Sequence, residues 1–212
     1  MKADKDFELR KEIIAICQLM DAKAMVAGTE GNVSARASGD TVLMTPSGYN
    51  KADITEDMLV RLDMEGNVVE GDYPPTSEKF MHLEFYNQRP GANGVAHGHP
   101  VFATAFAAAG RDLPHGILPE LVAVIGQIAT VPYGRPSSAK LAEALAPYVK
   151  RHNVFLLQNH GATAVGKSVR DAFHRLQVGE AYAKTVWAAE ALGGVQPLNM
   201  AQIADLPLPS FD

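Results

Sequence analysis

At 212 residues, with 47% apolar and 20% charged side chains, the chain has material for one sizeable core and reads as a folded domain, not a disordered or fibrous one. The formal net charge of −5, with 19 Lys and Arg scattered along the sequence, leaves no basic stripe of the kind that replaces counterions on nucleic acid, so nucleic-acid binding is excluded. Cys17 is the sole cysteine, which excludes an intrachain disulfide, and no run approaches the roughly 20 apolar residues that span a bilayer. The charged opening MKADKDFELRKE lacks the apolar stretch of a signal peptide. The expectation is a cytoplasmic enzyme or binding protein with no membrane partner. Phosphorylated small molecules stay within reach of such a chain, because backbone amides and hydroxyls hold phosphate without a basic surface.

Leu9, Ile13, Ile16, Cys17 and Met20 recur at helical spacing and predict an opening helix, with Cys17 as a small core residue. GTEGNVSAR follows, its glycines at 28 and 31 marking turns, and leads into short alternating strands at 33–37 and 41–44. TPSG at 45–48 is another turn, and 58–70 reads as a hairpin centred on Glu65-Gly66-Asn67. Thr76 or Ser77 caps a helix from 78 to about 88, ended by Arg89-Pro90-Gly91. Residues 94–97 read as a short strand and 101–109 as an alanine-rich helix. The stretch 121–131, apolar and partly β-branched, reads as one or two strands. Ser137 and Ser138 precede a helix to about 151, a strand follows at 154–158, and a long helix runs from about 169 to 192 before Gly193-Gly194. The tail from Val195, with prolines at 197, 207 and 209, is expected to be extended. Interleaved strands and helices without a linker or repeat predict a single α/β domain over residues 1–195, a sheet covered by helices, and a tail over 196–212.

The strongest chemical signal is VAHGHP, which holds His97 and His99. Side chains two apart on an extended segment point to the same side, so two imidazoles can converge on one ion. His160, in LLQNHG directly after an apolar strand, supplies a third imidazole at a strand end, where the ligands of α/β proteins gather. Three histidines match a catalytic site with three protein ligands and an open position. Glu78 opens a helix, where an acidic residue also complements the macrodipole. His82, His115, His152 and His174 read as structural. Gly31-Asn32, Ser47-Gly48 and Thr76-Ser77 are polar turns able to cradle a phosphate, the last at a helix start with its free amides.

GNVSAR, TPSG, PTSE, VAHGHP and LLQNHG, in this order and across nearly the whole chain, resemble the class II aldolase/adducin family. The resemblance implies a single α/β/α domain with a central, mostly antiparallel sheet, commonly assembled as a homotetramer with sites near subunit interfaces. It implies one divalent ion per subunit on His97, His99 and His160, Zn2+ first and Mn2+ or Co2+ in some members. Glu78 matches the catalytic acid/base, and Gly31, Asn32, Ser47, Gly48, Thr76 and Ser77 match the phosphate-binding positions. The implied reaction is cleavage of a ketose 1-phosphate to dihydroxyacetone phosphate and an aldehyde, the ion acting as a Lewis acid on the enediolate. Where the fuculose-phosphate branch carries a proton-transfer tyrosine, this chain reads HGILPELVAV, with Leu118 near that position and Glu120 close by. Glu120 is the candidate for that proton transfer, and LPE leans toward the branch acting on 5-deoxyribulose and 5-methylthioribulose 1-phosphates. Decarboxylation of a phosphorylated 3-oxo sugar acid and 4-epimerisation of a pentulose phosphate are the alternatives on the same ligand set. The non-enzymatic adducin branch lacks a working metal site, whereas all three histidines and Glu78 are present here.

Overall fold

A computed structural model describes residues 6–207 and 209. Eight strands form one sheet in the order β4-β3-β2-β1-β5-β8-β7-β6, every neighbouring pair antiparallel except β6 with β7. The strands are β1 Asn32–Ala37, β2 Thr41–Met44, β3 Val60–Leu62, β4 Val68–Glu70, β5 Gly94–Gly98, β6 Ala129–Val131, β7 Val154–Leu157 and β8 Gly161–Gly166. The helices are α1 Phe7–Ala22, α2 Lys79–Gln88, α3 Val101–Ala109, α4 Pro119–Ile125, α5 Ala139–Leu145, α6 Val169–Ala191 and α7 Met200–Ala204, with short 3-10 turns at Lys51–Asp53 and Glu56–Met58.

The period-2 pattern of the strands divides their side chains between two apolar clusters. Val33, Ala35, Leu43, Ala96, Leu156 and Ala164 pack with α1, α3, α4 and α6 through Ile13, Ile16, Phe106, Ile125, Phe173 and Leu176. Val42, Met44, Val95, Phe155, Leu157 and Val165 pack with α2 and α5 through Met81, Phe85, Leu141 and Leu145. The expected α/β/α layering is therefore what forms, since each face of the sheet buries a separate helix layer. Full burial of each such large apolar side chain contributes about 1.5–3 kcal/mol. Cys17 lies fully buried within the first cluster, and burial pushes its thiol pKa up to about 12, so it stays a protonated core residue.

Four segments differ from the sequence reading. Residues 119–125 form α4, not a strand: Pro119 is set for the first helical position, Val122 and Ile125 bury one face, and Gly126 at φ +70° ends it, leaving only β6 from the expected strands. β8 was not assigned in the sequence reading, which placed nothing regular between the strand at 154–158 and the helix from about 169. It is instead a central strand, small because α6 crosses it closely: a Cβ on Gly166 would stand 2.4 Å from the Ala172 nitrogen. α5 ends at Leu145, well short of 151, with Pro147 close behind its last turn. The tail is not wholly extended, since an Asn199–Gln202 capping box starts α7. The Leu198 N–H donates to the Gly116 carbonyl at 2.7 Å, and Ile203 packs over Gly116. The far end of the tail, Phe211 included, lies outside the described residues.

The sheet order sets the start of β1, the end of β5 and the start of β8 on one edge, with Asn32 opposite His97 and Gly98 opposite Ala162. α2 begins over that same edge. Gly94, at the other end of β5, is pressed against the entry to α6: an added Cβ would lie 2.4 Å from backbone atoms of Ser168 and Val169. Gly94→Ala is expected to destabilise the fold by about 1–3 kcal/mol, the scale of overpacking, read as a lower urea midpoint. An unchanged midpoint would mean that β5 and α6 separate freely.

Candidate metal centre and active site

His97 is the fourth residue of β5 and lies on the α2 face, two residues from Val95. His99 follows the strand end, its N–H held by the Met25 carbonyl at 2.8 Å. His160 belongs to the tight connection between β7 and β8, in which Asn159 takes the left-handed conformation at φ +56°, a conformation asparagine tolerates. The three rings come together at centroid separations of 4.7, 5.2 and 5.2 Å. One nitrogen of each lies within 4.8 Å of the others. Gly161 makes room, because a Cβ there would stand 2.4 Å from Cδ2 of His99.

Glu78 is the residue before α2 and occupies the cap position without capping: its carboxylate turns away from the helix amides. This corrects the assignment of the cap to Thr76 or Ser77, although Thr76 Oγ1 does accept the Glu78 N–H at 3.3 Å. Glu78 Oε2 lies 3.0 Å from His97 Nε2 and accepts from Asn32 Nδ2 at 3.0 Å, while Oε1 lies 3.1 Å from His160 Nε2. Burial alone would raise the Glu78 pKa. The neighbouring His97 and His160 rings, with the Asn32 amide, outweigh it and hold the carboxyl well below the ordinary range.

The donor set fits a divalent cation. His97 Nδ1 lies 3.0 Å from the Ala162 carbonyl, which can only accept, so Nδ1 carries a hydrogen, and a neutral ring would direct a lone pair from Nε2 at the Glu78 carboxylate. His99 Nδ1 faces Glu30 Oε2 at 2.9 Å, which leaves its Nε2 as a lone pair in turn. His97 Nε2, His99 Nε2, His160 Nδ1 and Glu78 Oε1 are buried without a hydrogen-bond partner. With the rings neutral, lone pairs brought within 4.8 Å of one another beside a carboxylate favour a positive charge among them. Three imidazole nitrogens and a carboxylate oxygen are the donors that borderline ions such as Zn2+ take. Burial, then charge at His97, pushes His160 down to about 4, which keeps the ring neutral and able to ligate near neutral pH.

In front of the histidines lies a cavity of about 170 Å³. All six residues expected at the phosphate, Gly31, Asn32, Ser47, Gly48, Thr76 and Ser77, line it together with Glu78, His99 and His160. His97 is fully buried beside them. Gly31, at φ +73°, is forced by both conformation and space, since a Cβ would lie 2.3 Å from Val26 Cγ1. The 45–48 and 74–76 turns are laced together by Thr76 N–H to the Thr45 carbonyl at 3.0 Å and Ser47 N–H to the Pro74 carbonyl at 2.9 Å. Glu120 is not brought in: it is exposed in the first turn of α4 and does not line this cavity.

Sequence reasoning missed Glu30 and Ser137, and did not place His82 beside the site. Ser137 arrives from the loop after β6, and its hydroxyl donates to Ser77 Oγ at 2.8 Å. Nothing periodic marks either Glu30 or Ser137. His82 was expected to be structural; it is fully buried on α2 behind Glu78, with Nε2 2.5 Å from Asn32 Oδ1 and Nδ1 2.6 Å from Ser34 Oγ. Its four-residue spacing from Glu78 was the available signal.

Fold and site together point to an enzyme acting on sugar phosphates, and the comparisons agree. Residues 11–187 match the family described as Class II Aldolase and Adducin N-terminal domain, and the chain belongs to that family. It is similar to an L-fuculose phosphate aldolase of Methanocaldococcus jannaschii, 34% identical over 82% of this chain and 93% of the relative. A 3-oxo-tetronate 4-phosphate decarboxylase of Haemophilus influenzae is 32% identical over 87% and 89%. A 5-methylthioribulose-1-phosphate/5-deoxyribulose-1-phosphate aldolase of Escherichia coli is 37% identical over 74% and 73%. A solved L-fuculose 1-phosphate aldolase superposes with a TM-score of 0.89 at 28% identity, covering 95% of each chain. Among the described residues no helix is long and apolar enough to cross a membrane.

His97→Ala removes a buried donor and is expected to abolish retention of divalent metal, measured by elemental analysis after purification without chelators. Full metal content in that variant would remove His97 from the ligand set. A second expectation concerns pH. Burial pushes His82 down to about 3, whereas in the unfolded chain it titrates near 6.5. Below 6.5 the unfolded chain gains a proton that the folded chain refuses until about 3, so stability falls as pH falls through that window. Between pH 5.5 and 4.5, metal-free His82→Gln should lose about 1.4 kcal/mol less than metal-free wild type in urea titrations. Equal losses would show that His82 is already protonated in the fold.

Proposed function

We propose that this chain is a divalent-metal-dependent class II aldolase that cleaves a ketose 1-phosphate to dihydroxyacetone phosphate and an aldehyde. The observation that carries the reading is the unpartnered triad of His97, His99 and His160 facing the Glu78 carboxylate at the end of a polar, turn-lined cavity. The histidines would hold the ion, Zn2+ first and Mn2+ or Co2+ as replacements, and when bound it supplies Lewis acidity to a substrate carbonyl and its neighbouring hydroxyl.

The chain's own residues do the rest. The Ser47-Gly48 turn, Gly31-Asn32 and the Thr76-Ser77 start of α2 line one cavity, and they are proposed to bind the phosphate through hydroxyls and free amides, the helix N-terminus favouring an anion. Anchoring the phosphate away from the reacting bond orients the carbons beside Glu78. Cleavage breaks the C3–C4 bond: C4 becomes the aldehyde carbon as its hydroxyl loses a proton, the electron pair stays on C3, and C3 takes a proton. In the synthetic direction the Glu78 carboxylate removes that proton from C3; in cleavage Glu78 first takes up a proton, matching in number the one the C4 hydroxyl loses, and hands it to C3. Its ionised resting state is the form that accepts a proton. Glu120 remains our candidate for the C4 hydroxyl proton. Because it is exposed on this chain and outside the cavity, that role requires the site of a neighbouring subunit in a homotetramer.

Decarboxylation of a phosphorylated 3-oxo sugar acid is the second reading, favoured by the likeness to the Haemophilus influenzae decarboxylase. A coupled assay for dihydroxyacetone phosphate, run on metal-loaded and EDTA-treated protein with fuculose, rhamnulose, 5-deoxyribulose and 5-methylthioribulose 1-phosphates, separates the two. Metal-dependent release supports the aldolase, and the best substrate places the branch. Silence across the panel, with carbon dioxide released from a 3-oxo-tetronate 4-phosphate, would replace it with the decarboxylase. Glu78→Gln is expected to keep its metal and fold while losing about 10²–10⁴-fold in kcat; wild-type turnover in that variant would move the acid/base role elsewhere.

A further inference from the structure

Glu78, His82 and Tyr86 recur every fourth residue, one turn apart along α2 at about 6 Å of rise per step. Asn32 and Ser34 stand two apart on β1, about 6.8 Å along the strand. The near-equal spacings let the two sets interleave. Asn32 Nδ2 lies 3.0 Å from Glu78 Oε2, His82 Nε2 2.5 Å from Asn32 Oδ1, Ser34 Oγ 2.6 Å from His82 Nδ1, and Tyr86 OH 2.8 Å from Ser34 Oγ. All four partners of Glu78 in this row are buried.

Donor and acceptor capacity fixes the direction of every bond. The ionised Glu78 only accepts, so the Asn32 amide turns its NH2 to it and its carbonyl to His82. His82 Nε2 must then be the N–H, and a neutral ring leaves Nδ1 to accept from the Ser34 hydroxyl. Ser34 oxygen, having donated, accepts from Tyr86. Each donor therefore points toward Glu78, and such one-directional chains strengthen one another in a low-dielectric interior.

We propose that His82 is a positioning residue of the reaction: by donating from Nε2 it locks the Asn32 amide with its NH2 toward Glu78 and the cavity. The inference rests on the active site proposed above. Without that donor the amide can turn over and present its carbonyl, placing acceptor against acceptor at Glu78 and against an incoming anion at the cavity wall. Ser34 and Tyr86 matter only because they select the His82 tautomer.

Two measurements test this. In holoenzyme carrying 15N-labelled histidine, His82 is expected to be neutral and protonated at Nε2; an Nδ1–H or doubly protonated ring overturns the proposal. In the dihydroxyacetone phosphate assay, His82→Leu is expected to lower kcat about 10²-fold with metal content unchanged, the scale of a misplaced reacting group. His82→Gln, whose amide can donate to Asn32 and accept from Ser34, should recover most of that loss. In an Asn32→Ala background the His82→Leu change should cost nothing more, because it acts through Asn32; additive losses would make His82 a fold residue only and overturn the proposal. If His82→Leu fails to fold, Ser34→Ala carries the same cycle. A wild type inactive on every ketose phosphate counts against the aldolase reading, while the tautomer, read without substrate, still decides for or against His82.

Discussion

Asn32 stands opposite His97 in the antiparallel pairing of β1 with β5, and His97 stands opposite Thr163 in the pairing of β5 with β8. From this register hang the start of β1, the end of β5 and the start of β8, and with them most of the residues at the site. Because side chains alternate across a sheet, a slip of one residue would turn His97 into the apolar layer under α1 and α6 and away from Glu78. The slip is blocked by packing: Val95 is buried in the cluster with α2 and α5, and Ala96 in the cluster with α1, α3 and α6. The two-layer core is thus what holds three imidazoles and a carboxylate within contact of one another.

Holding them there works against stability. A buried carboxylate and several buried nitrogens without hydrogen-bond partners each carry a desolvation cost that ordinary cores avoid. The fold offsets part of it locally. Asn32 donates to Glu78, the Ala162 carbonyl takes the His97 N–H, and Glu30 takes the side of His99 that faces away from the cluster. The remainder is a deficit that a cation would fill. Gly31 and Gly161 belong to the same account, since each vacates the space a Cβ would take from His97 or His99 backbone or ring atoms. Four buried side-chain atoms without hydrogen-bond partners gather at this one end of the strands, as expected where a fold carries a functional site.

Much of this was legible in the sequence, for identifiable reasons. His97 and His99 announced themselves because i, i+2 spacing on a strand has one geometric meaning, and His160 because a histidine between an apolar strand and a glycine is a strand-end residue. The helices at 7–22, 101–109 and 169–191 were readable from apolar periodicity. β8 was not, because its small residues answer to the approach of α6, a contact between elements and not a local preference. α4 was misread because Val122, Val124 and Ile125 are β-branched, while its helical state follows from Pro119 at the start and burial three residues apart. Glu30 and Ser137 carry no pattern, since each enters the site from a loop whose path is set by distant pairing. The Glu78–His82–Tyr86 repeat facing Asn32 and Ser34 was present in the letters. It becomes meaningful only once β1 is known to lie beneath α2.

The likeness to both aldolases and a decarboxylase, at 34% and 32% identity, has a physical basis in what the site contains. Aldol cleavage and decarboxylation of a 3-oxo acid both break a carbon–carbon bond next to a carbonyl carbon and leave the electron pair on the adjacent atom. The groups that serve such a step are an electrophile at the carbonyl, an acid for the carbon and an anchor for the phosphate. His97, His99 and His160, Glu78, and the turns at Asn32, Ser47 and Thr76 are candidates for those three parts, and all of them lie on this chain. What differs between the reactions is the departing fragment, a neutral aldehyde in one and carbon dioxide in the other. An aldehyde departs only if a base takes the hydroxyl proton, whereas carbon dioxide needs no base. The cavity itself offers Glu78 and Glu30 as carboxylates, one proposed above for the carbon and the other turned to His99. The distinction between the reactions therefore lies in whether a further base reaches the far side of the substrate, and a group such as Glu120, exposed on this chain, can do so only across a subunit boundary.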